Sequence, residues 1–212
     1  MGRPTWRYED EAIRSGCGRI AGVDEVGRGS LAGPVVAAAV VLSRSVSIRG
    51  VNDSKLLSAK SRETIARDIF DRAVAVGIGA SGPDEVDRIN VLRATLMAMR
   101  RAVGALEACG SPADGLLLDA VRLPEAAVPQ ISLIRGDQRS MSIAAASIVA
   151  KVVRDRIMDH YAGLYPEFDF GSNKGYGTPA HLEALRRVGP CPIHRRTFRG
   201  VLAQQTMLAF EG

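Results

Sequence analysis

Little in this chain points to sulfur, imidazole or lipid chemistry. Its 212 residues include only three cysteines, Cys17, Cys109 and Cys191. They are odd in number and too scattered for a CxxC zinc site, so a reducing cytosol is the expected compartment. The three histidines, His160, His181 and His194, are too dispersed to propose a ligand set, although His194 within PIHRR stands out. Ser147 has no partner histidine in sequence, and a serine nucleophile is not proposed. The longest apolar run, Val35–Leu42, falls far short of the roughly 20 residues a membrane span requires. The opening residues, MGRPTWRYEDEAIRSG, are charged throughout and unlike a signal peptide. The expectation is a soluble, cytoplasmic protein with no membrane partner. The excess of base is modest: 28 basic against 23 acidic residues, net +5, pI about 9.4. It permits a nucleic-acid partner without requiring one.

What the chain does have is Ile20–Leu42, IAGVDEVGRGSLAGPVVAAAVVL. A short apolar strand runs into two adjacent carboxylates, Asp24 and Glu25. A glycine-rich elbow follows, Gly27-Arg28-Gly29 and then Gly33-Pro34, before a second, β-branched and alanine-rich strand. A dinucleotide-binding turn is the rival reading. Its fingerprint needs a third glycine three positions after the second and then a helix. Here Gly33 comes one residue late, Pro34 follows, and the next segment is strand-like.

Further on, Ser58 is expected to cap a helix over Ala59–Ala73 with Ile65, Ile69 and Ala73 on one face. Val74–Ala80 reads as a strand and Ser81-Gly82-Pro83 as a turn. Asp87 or Asn90 begins a helix through Val91–Ala108, with Leu92, Thr95, Leu96, Met99, Val103 and Leu106 on its buried face. Short strands over Gly115–Leu118 and Ile131–Ile134 stop at Asp119 and near Asp137. Ser140–Leu164 is a long helix, its first half buried and its second half charged through Arg154, Asp155, Arg156 and His160. Phe168–Thr178 reads as a loop and Pro179–Val188 as a helix. Two hairpin-like strands followed by alternating strands and helices indicate a mixed sheet packed between helices.

Asp24 with Glu25, Asp119 and Asp137 all end or follow strands. Neighbouring strand ends in an α/β sheet line the site crevice, and acids gathered there cannot all ionise without cations between them. Oxygen ligands without His or Cys favour Mg²⁺ or Mn²⁺ over zinc. Two such ions about 3.5–4 Å apart can activate water and stabilise the leaving oxygen of a phosphodiester. Taken singly, each acid reads equally as a loop or cap residue. Adjacent strand residues point to opposite faces, so Asp24 and Glu25 share a centre only if the strand breaks there. Tyr176, between Gly175 and Gly177, offers a ring to a sugar or base and a hydroxyl to a 2′-OH; packing on the core is its other reading. Lys55, Lys174, Arg195 and Arg196 are candidate phosphate contacts.

The segments GVDEVGRGSLAGPVVAAAVVL, NDSKLLS, LLLDAVRLP, RGDQRSMSIAAASIVAKVVRD, NKGYGTPAHLEAL and GPCPIHRRTF closely resemble bacterial ribonuclease HII, in the right order over roughly Ile20 to Phe198. The resemblance implies an RNase H-like α/β fold, a mixed central sheet flanked by helices, with a small C-terminal helical extension. It implies an endonuclease that hydrolyses the RNA strand of RNA/DNA hybrids and cuts 5′ of single ribonucleotides in duplex DNA, leaving 3′-hydroxyl and 5′-phosphate ends. On the matching positions, Asp24, Glu25, Asp119 and Asp137 would bind two divalent ions, and Gly27, Arg28, Gly29 and Tyr176 would read the ribose 2′-OH.

The chain departs from the family pattern at Leu56 (a second lysine in DSKK), Ala120 (glycine in LDG), Asn173 (histidine before KGYG) and Gln138-Arg139 (GDAKS). Loss of the lysine removes one phosphate contact. None of these positions is a carboxylate, so an active enzyme is expected. A different class of reading is a non-catalytic hybrid-binding module, for which a uniformly basic groove would be expected instead of four acids. The tail Gln204–Phe210 is similar to peptides that dock on sliding clamps, without the usual second aromatic; a turn packing on its own domain explains it equally. The expected layout is a catalytic domain over 1–188, with 1–18 as an arm pinned by Trp6 and Tyr8, a C-terminal extension over 189–212, and a monomer.

Overall fold

The computed structural model describes residues 3–202 apart from 47, 52, 53, 55, 56 and 125. Lys55, Leu56 and the clamp-like tail 204–210 therefore lie outside the described residues. The chain runs α1 (Arg7–Arg14), β1 (Ile20–Val26), β2 (Val35–Val41), α2 (Ala59–Arg72), β3 (Ala75–Ser81), α3 (Pro83–Ile89), α4 (Val91–Ala108), β4 (Gly115–Asp119), β5 (Gln130–Leu133), α5 (Met141–Leu164), α6 (Phe170–Asn173) and α7 (Pro179–Val188). The strands form one mixed sheet in the order β3-β2-β1-β4-β5. β1–β2 and β2–β3 are antiparallel, whereas β1–β4 and β4–β5 are parallel.

Alternation along the strands divides the core into two layers. Ala21, Val23, Val35, Ala37 and Ala39 face α4, packing on Ala94, Ala98, Met99, Ala102 and Leu106. Ala38 and Val40 face the other way, onto Ala144–Ala146, Ile148 and Val149 of α5 and Ile65 and Ile69 of α2. The small residues of β1 and α5 let that helix press onto the sheet. A Cβ on Gly22 would lie 2.1 Å from the Ser142 carbonyl carbon, a distance no side chain tolerates. Ser140 caps α5 through its hydroxyl, which accepts from the Ile143 N–H. Glu9 of α1 reaches the same helix end, accepting from Ser140 Oγ at 2.6 Å and the Ser142 N–H at 2.8 Å. That contact, with Tyr8 buried against Leu117 and Ile143, makes the N-terminal segment part of the fold.

Several expectations need correction. Asn90, not Asp87, caps α4, accepting from the Arg93 N–H at 3.1 Å. Asp87 instead accepts from the Arg196 and Thr197 N–H groups, and the expected turn at Pro83 opens α3. Leu92 is half exposed, because the buried face of α4 turns on alanines, which fit close to the glycine-bearing β3. The segment Phe168–Thr178, expected to be a loop, contains α6, and a 3₁₀ turn over Pro166–Phe168 leads into it. Arg154, expected on a charged face, is fully buried. Between Gly189 and Leu202 the chain forms turns and one bridge, Ala32 to His194, with no helix among the described residues. No helix among the described residues is long and apolar enough to cross a membrane.

Candidate active site

The three parallel strands β1, β4 and β5 bring their carboxyl ends to one edge of the sheet, where β1 and β4 carry acid. Asp24, Glu25 and Asp119 line one pocket of about 360 Å³ together with Val26, Ser54, Ser147, Lys151 and Tyr176. Asp137 sits buried in the 3₁₀ turn Gly136–Gln138 that follows β5 and is not among the lining side chains. It is tied to the pocket through its neighbour, because the Gly136 N–H donates to Asp119 Oδ1 at 2.7 Å.

The expected break between Asp24 and Glu25 takes another form. β1 stays paired with β2 as far as Val26, so the strand itself is continuous. Its pairing with β4 stops at Val23. Beyond that point the β4 flank is open, and side chains of either parity reach the crevice between the strand ends. Asp24 is only 5% exposed, and its Oδ1 accepts from the Glu25 N–H at 2.8 Å.

Burial pushes the Asp24 carboxyl well above its ordinary range, and repulsion from Glu25 and Asp119 adds to the rise; hydrogen bonds from Ser147 and the Glu25 amide oppose it. Burial likewise raises Glu25, countered by the Arg28 guanidinium at 3.2 Å. Glu25 Oε2 is a buried oxygen without a hydrogen-bond partner. Among the described residues no three of these side chains are already drawn together as a metal-holding group. Acids lining one pocket, an orphaned carboxylate oxygen and a lining without nitrogen or sulfur ligands are nonetheless the donor chemistry of hard divalent cations.

The elbow after β1 is stapled from behind. Gly27 has φ +92°, and a Cβ there would fall 2.2 Å from Arg154 Nε and 2.8 Å from the Pro34 carbonyl. The Leu31 N–H donates to the Gly175 carbonyl at 2.8 Å, joining this elbow to the loop that carries Tyr176. Tyr176 is 38% exposed at the pocket. Asn173 fits where the family pattern has histidine: its amide donates to the Phe168 carbonyl at 2.6 Å and accepts from the Gly175 N–H at 2.7 Å.

The basic candidates fare differently. Lys174 turns away from the acids to pair with Asp159. Arg195 is buried and bonded to backbone carbonyls, which removes it as a phosphate contact. The cation that does line the pocket is Lys151, missed in sequence, whose Nζ donates to Asp155 at 2.7 Å. Ser147, one turn before it on α5, shares a 2.9 Å hydrogen bond with Ser54. Their i, i+4 spacing on a helix otherwise small and apolar was the available signal. Nor are two of the three histidines dispersed in space. Nε2 of His181 and of His194 are 2.9 Å apart, and Cys191 Sγ lies 3.1 Å from His194 Nδ1.

The family model described as Ribonuclease HII matches residues 21–201. A ribonuclease HII of Syntrophotalea carbinolica is 54% identical over 194 residues, 92% of this chain and 91% of that protein. Among solved structures, the ribonuclease H2 of Pyrococcus horikoshii is similar with TM-score 0.71 and 28% identity, covering 87% of this chain and 95% of that one. The PCNA:RNase HII complex of Archaeoglobus fulgidus is similar with TM-score 0.71 and 26% identity, covering 89% and 98%.

Proposed function

The chain belongs to the ribonuclease HII family, and from that premise we propose that the acidic pocket hydrolyses the RNA strand of RNA/DNA hybrids and cuts 5′ of single ribonucleotides in duplex DNA, leaving 3′-hydroxyl and 5′-phosphate ends. One observation carries the reading: carboxylates from separate strands, Asp24 and Glu25 on β1 and Asp119 on β4, line a single pocket with Tyr176 at its mouth. Asp24, Glu25, Asp119 and Asp137 are the residues to hold two Mg²⁺ or Mn²⁺ ions. When bound, such ions supply Lewis-acid stabilisation of the phosphate and acidify water.

The chain's own groups do the rest. Asp24 is kept in place by the Glu25 amide and Asp119 by the Gly136 amide, so both carboxylates are oriented before substrate arrives. Lys151 brings a positive charge to the pocket lining, paired with Asp155 in the absence of substrate and suited to a backbone phosphate. The Tyr176 ring gives the sugar a flat surface, and the elbow Gly27-Arg28-Gly29 approaches the ribose with backbone alone at two of its three positions. Lys55 remains a candidate phosphate contact, and Lys174 becomes one only if it leaves Asp159.

A duplex bearing one ribonucleotide, incubated with Mg²⁺ and resolved on a gel, tests the reading. The expected product is a single cut on the 5′ side of that nucleotide, absent with EDTA. Binding that needs no metal and never yields cleavage would favour a hybrid-binding module instead. Docking of the tail on a sliding clamp is a separate proposal. The archaeal relative solved with PCNA supports it, and a clamp pull-down with residues 203–212 deleted decides it.

A further inference from the structure

Two buried guanidinium groups lie behind the pocket, and among the described residues no carboxylate forms an ion pair with either. Arg154 of α5 donates through Nε to the Pro34 carbonyl at 3.0 Å, through Nη2 to the Ala32 carbonyl at 3.1 Å and Ser30 Oγ at 2.7 Å, and through Nη1 to the Lys174 carbonyl at 2.8 Å. Its guanidinium carbon is 5.6 Å from the centroid of the Tyr176 ring. Arg195 donates through Nη1 to the Arg28 carbonyl at 2.9 Å and through Nε and Nη2 to the Gly33 carbonyl. Desolvation weighs against both charges, and repulsion from Arg154 weighs further against Arg195. A loop could be closed at lower cost by neutral groups.

The bonds converge on one short stretch. Ser30 Oγ, which accepts from Arg154, donates in turn to the Gly27 carbonyl at 2.9 Å. The carbonyls of Gly27 and Arg28 are thus both drawn inward, one through Ser30 and one by Arg195 directly. In a planar trans peptide the N–H points opposite to the C=O, so the N–H groups of Arg28 and Gly29 are turned outward. A Cβ at Gly29 would meet nothing within 4 Å. Packing within the chain does not demand a glycine there, whereas a ligand approaching the backbone would.

We propose that Arg154 and Arg195 are positioning residues for ribose selection: they fix the Arg28 and Gly29 amides and the Tyr176 ring in one arrangement, so that a sugar bearing a 2′-OH is held and one lacking it is not. The inference rests on the ribonuclease reading above and extends it to residues that touch no substrate. A pair of charges does here what one hydroxyl could not, because the Arg154 fork joins the elbow to the loop of Tyr176 and the Arg195 fork ties two ends of the elbow together.

The test compares two duplexes identical except for one ribonucleotide, titrated in EDTA so that no cutting occurs. Ser30→Ala removes the relay to the Gly27 carbonyl together with one of the four acceptors of Arg154, while Arg154→Lys and Arg195→Lys keep the charge and lose the fork. Each variant is expected to lose about tenfold of the preference for the ribonucleotide duplex, with affinity for the all-DNA duplex unchanged within about twofold. Folded variants that keep the preference, or lose affinity for both duplexes alike, overturn the proposal. If the arginine variants do not fold, Ser30→Ala alone decides it. A wild-type protein without preference or metal-dependent cutting would overturn the ribonuclease reading instead.

Discussion

Asp119 at the end of β4 accepts a 2.7 Å hydrogen bond from the Gly136 N–H in the turn after β5. That bond ties the last residue of one strand to the turn that carries Asp137, and so orients the Asp119 carboxylate against that turn. The third, Asp24, is held by the adjacent amide and repelled by its neighbours. Asp24→Asn keeps an oxygen for the Glu25 N–H and replaces the repulsion with a donor facing Glu25 and Asp119. We expect cleavage to fall by about 10³-fold or more, with the thermal midpoint unchanged or raised. Near-wild-type rates would contradict the metal assignment, and an unfolded variant would show that the carboxylate is structural.

Ala120, directly after Asp119, occupies the left-handed region at φ +54° while its N–H donates to the Leu133 carbonyl. The family pattern has glycine here, and the reason is visible in the backbone. Relief of the Cβ clash is worth about 1–2 kcal/mol, against about 0.5–1 kcal/mol for the extra freedom of glycine in the unfolded chain. Ala120→Gly is therefore expected to raise the thermal midpoint by about 1–3 °C and leave the cutting position unchanged. A fall in calorimetric midpoint would mean that the methyl group has a packing partner worth more than the strain.

How much of this was legible depended on whether the signal was local. Asp24 and Asp119 could be expected in one pocket because strand ends are marked by short apolar runs and parallel strands deliver their ends to one edge; Asp137, in the turn after β5, is not among the lining side chains. Asn90 and Ser140 announced helix starts for the same local reason. Arg154 was misread because a charge on a helix is ordinarily solvated; its four acceptors come from two distant loops, which no window along the chain contains. Lys174 is one of four basic residues that read as candidate phosphate contacts, but Asp159, one α5 turn beyond Asp155, claims it. The Asp24–Glu25 difficulty was sound physics with an incomplete premise. Alternation forbids a shared centre only while both flanks of the strand are covered, and β4 stops covering β1 at Val23.

Tyr176 presents its ring to the pocket while Arg154 lies behind it. Tyr176→Ala removes the surface and the hydroxyl; Tyr176→Phe removes the hydroxyl alone. Cleavage at a single ribonucleotide is expected to fall by about tenfold or more in the alanine variant, in line with the value of one stacked sugar or base, and less in the phenylalanine variant. Binding to all-DNA duplex should change little in either. Equal losses on both substrates would remove Tyr176 from sugar reading.

The buried pair His181 and His194 makes stability depend on pH in a defined window. Burial, with repulsion between the rings, lowers His194 from 6.5 to about 4, and burial lowers His181 as well. Both are thus neutral in the fold, where His181 Nδ1 lies 2.9 Å from the Tyr176 carbonyl and His194 Nδ1 3.0 Å from the Cys191 amide nitrogen. Well above pH 6.5 folded and unfolded chains bind the same number of protons at these sites, and stability is flat. As pH falls from 6.5 towards 4, the unfolded chain takes up protons that the fold refuses, so stability declines with a slope set by that difference. Below about 4 the His194 contribution levels off. His194→Gln should have a lower thermal midpoint than wild type at pH 8 and a shallower decline between pH 6.5 and 4. A wild-type midpoint that stays level across that interval, or a variant that declines as steeply, would show that the rings accept protons within the fold.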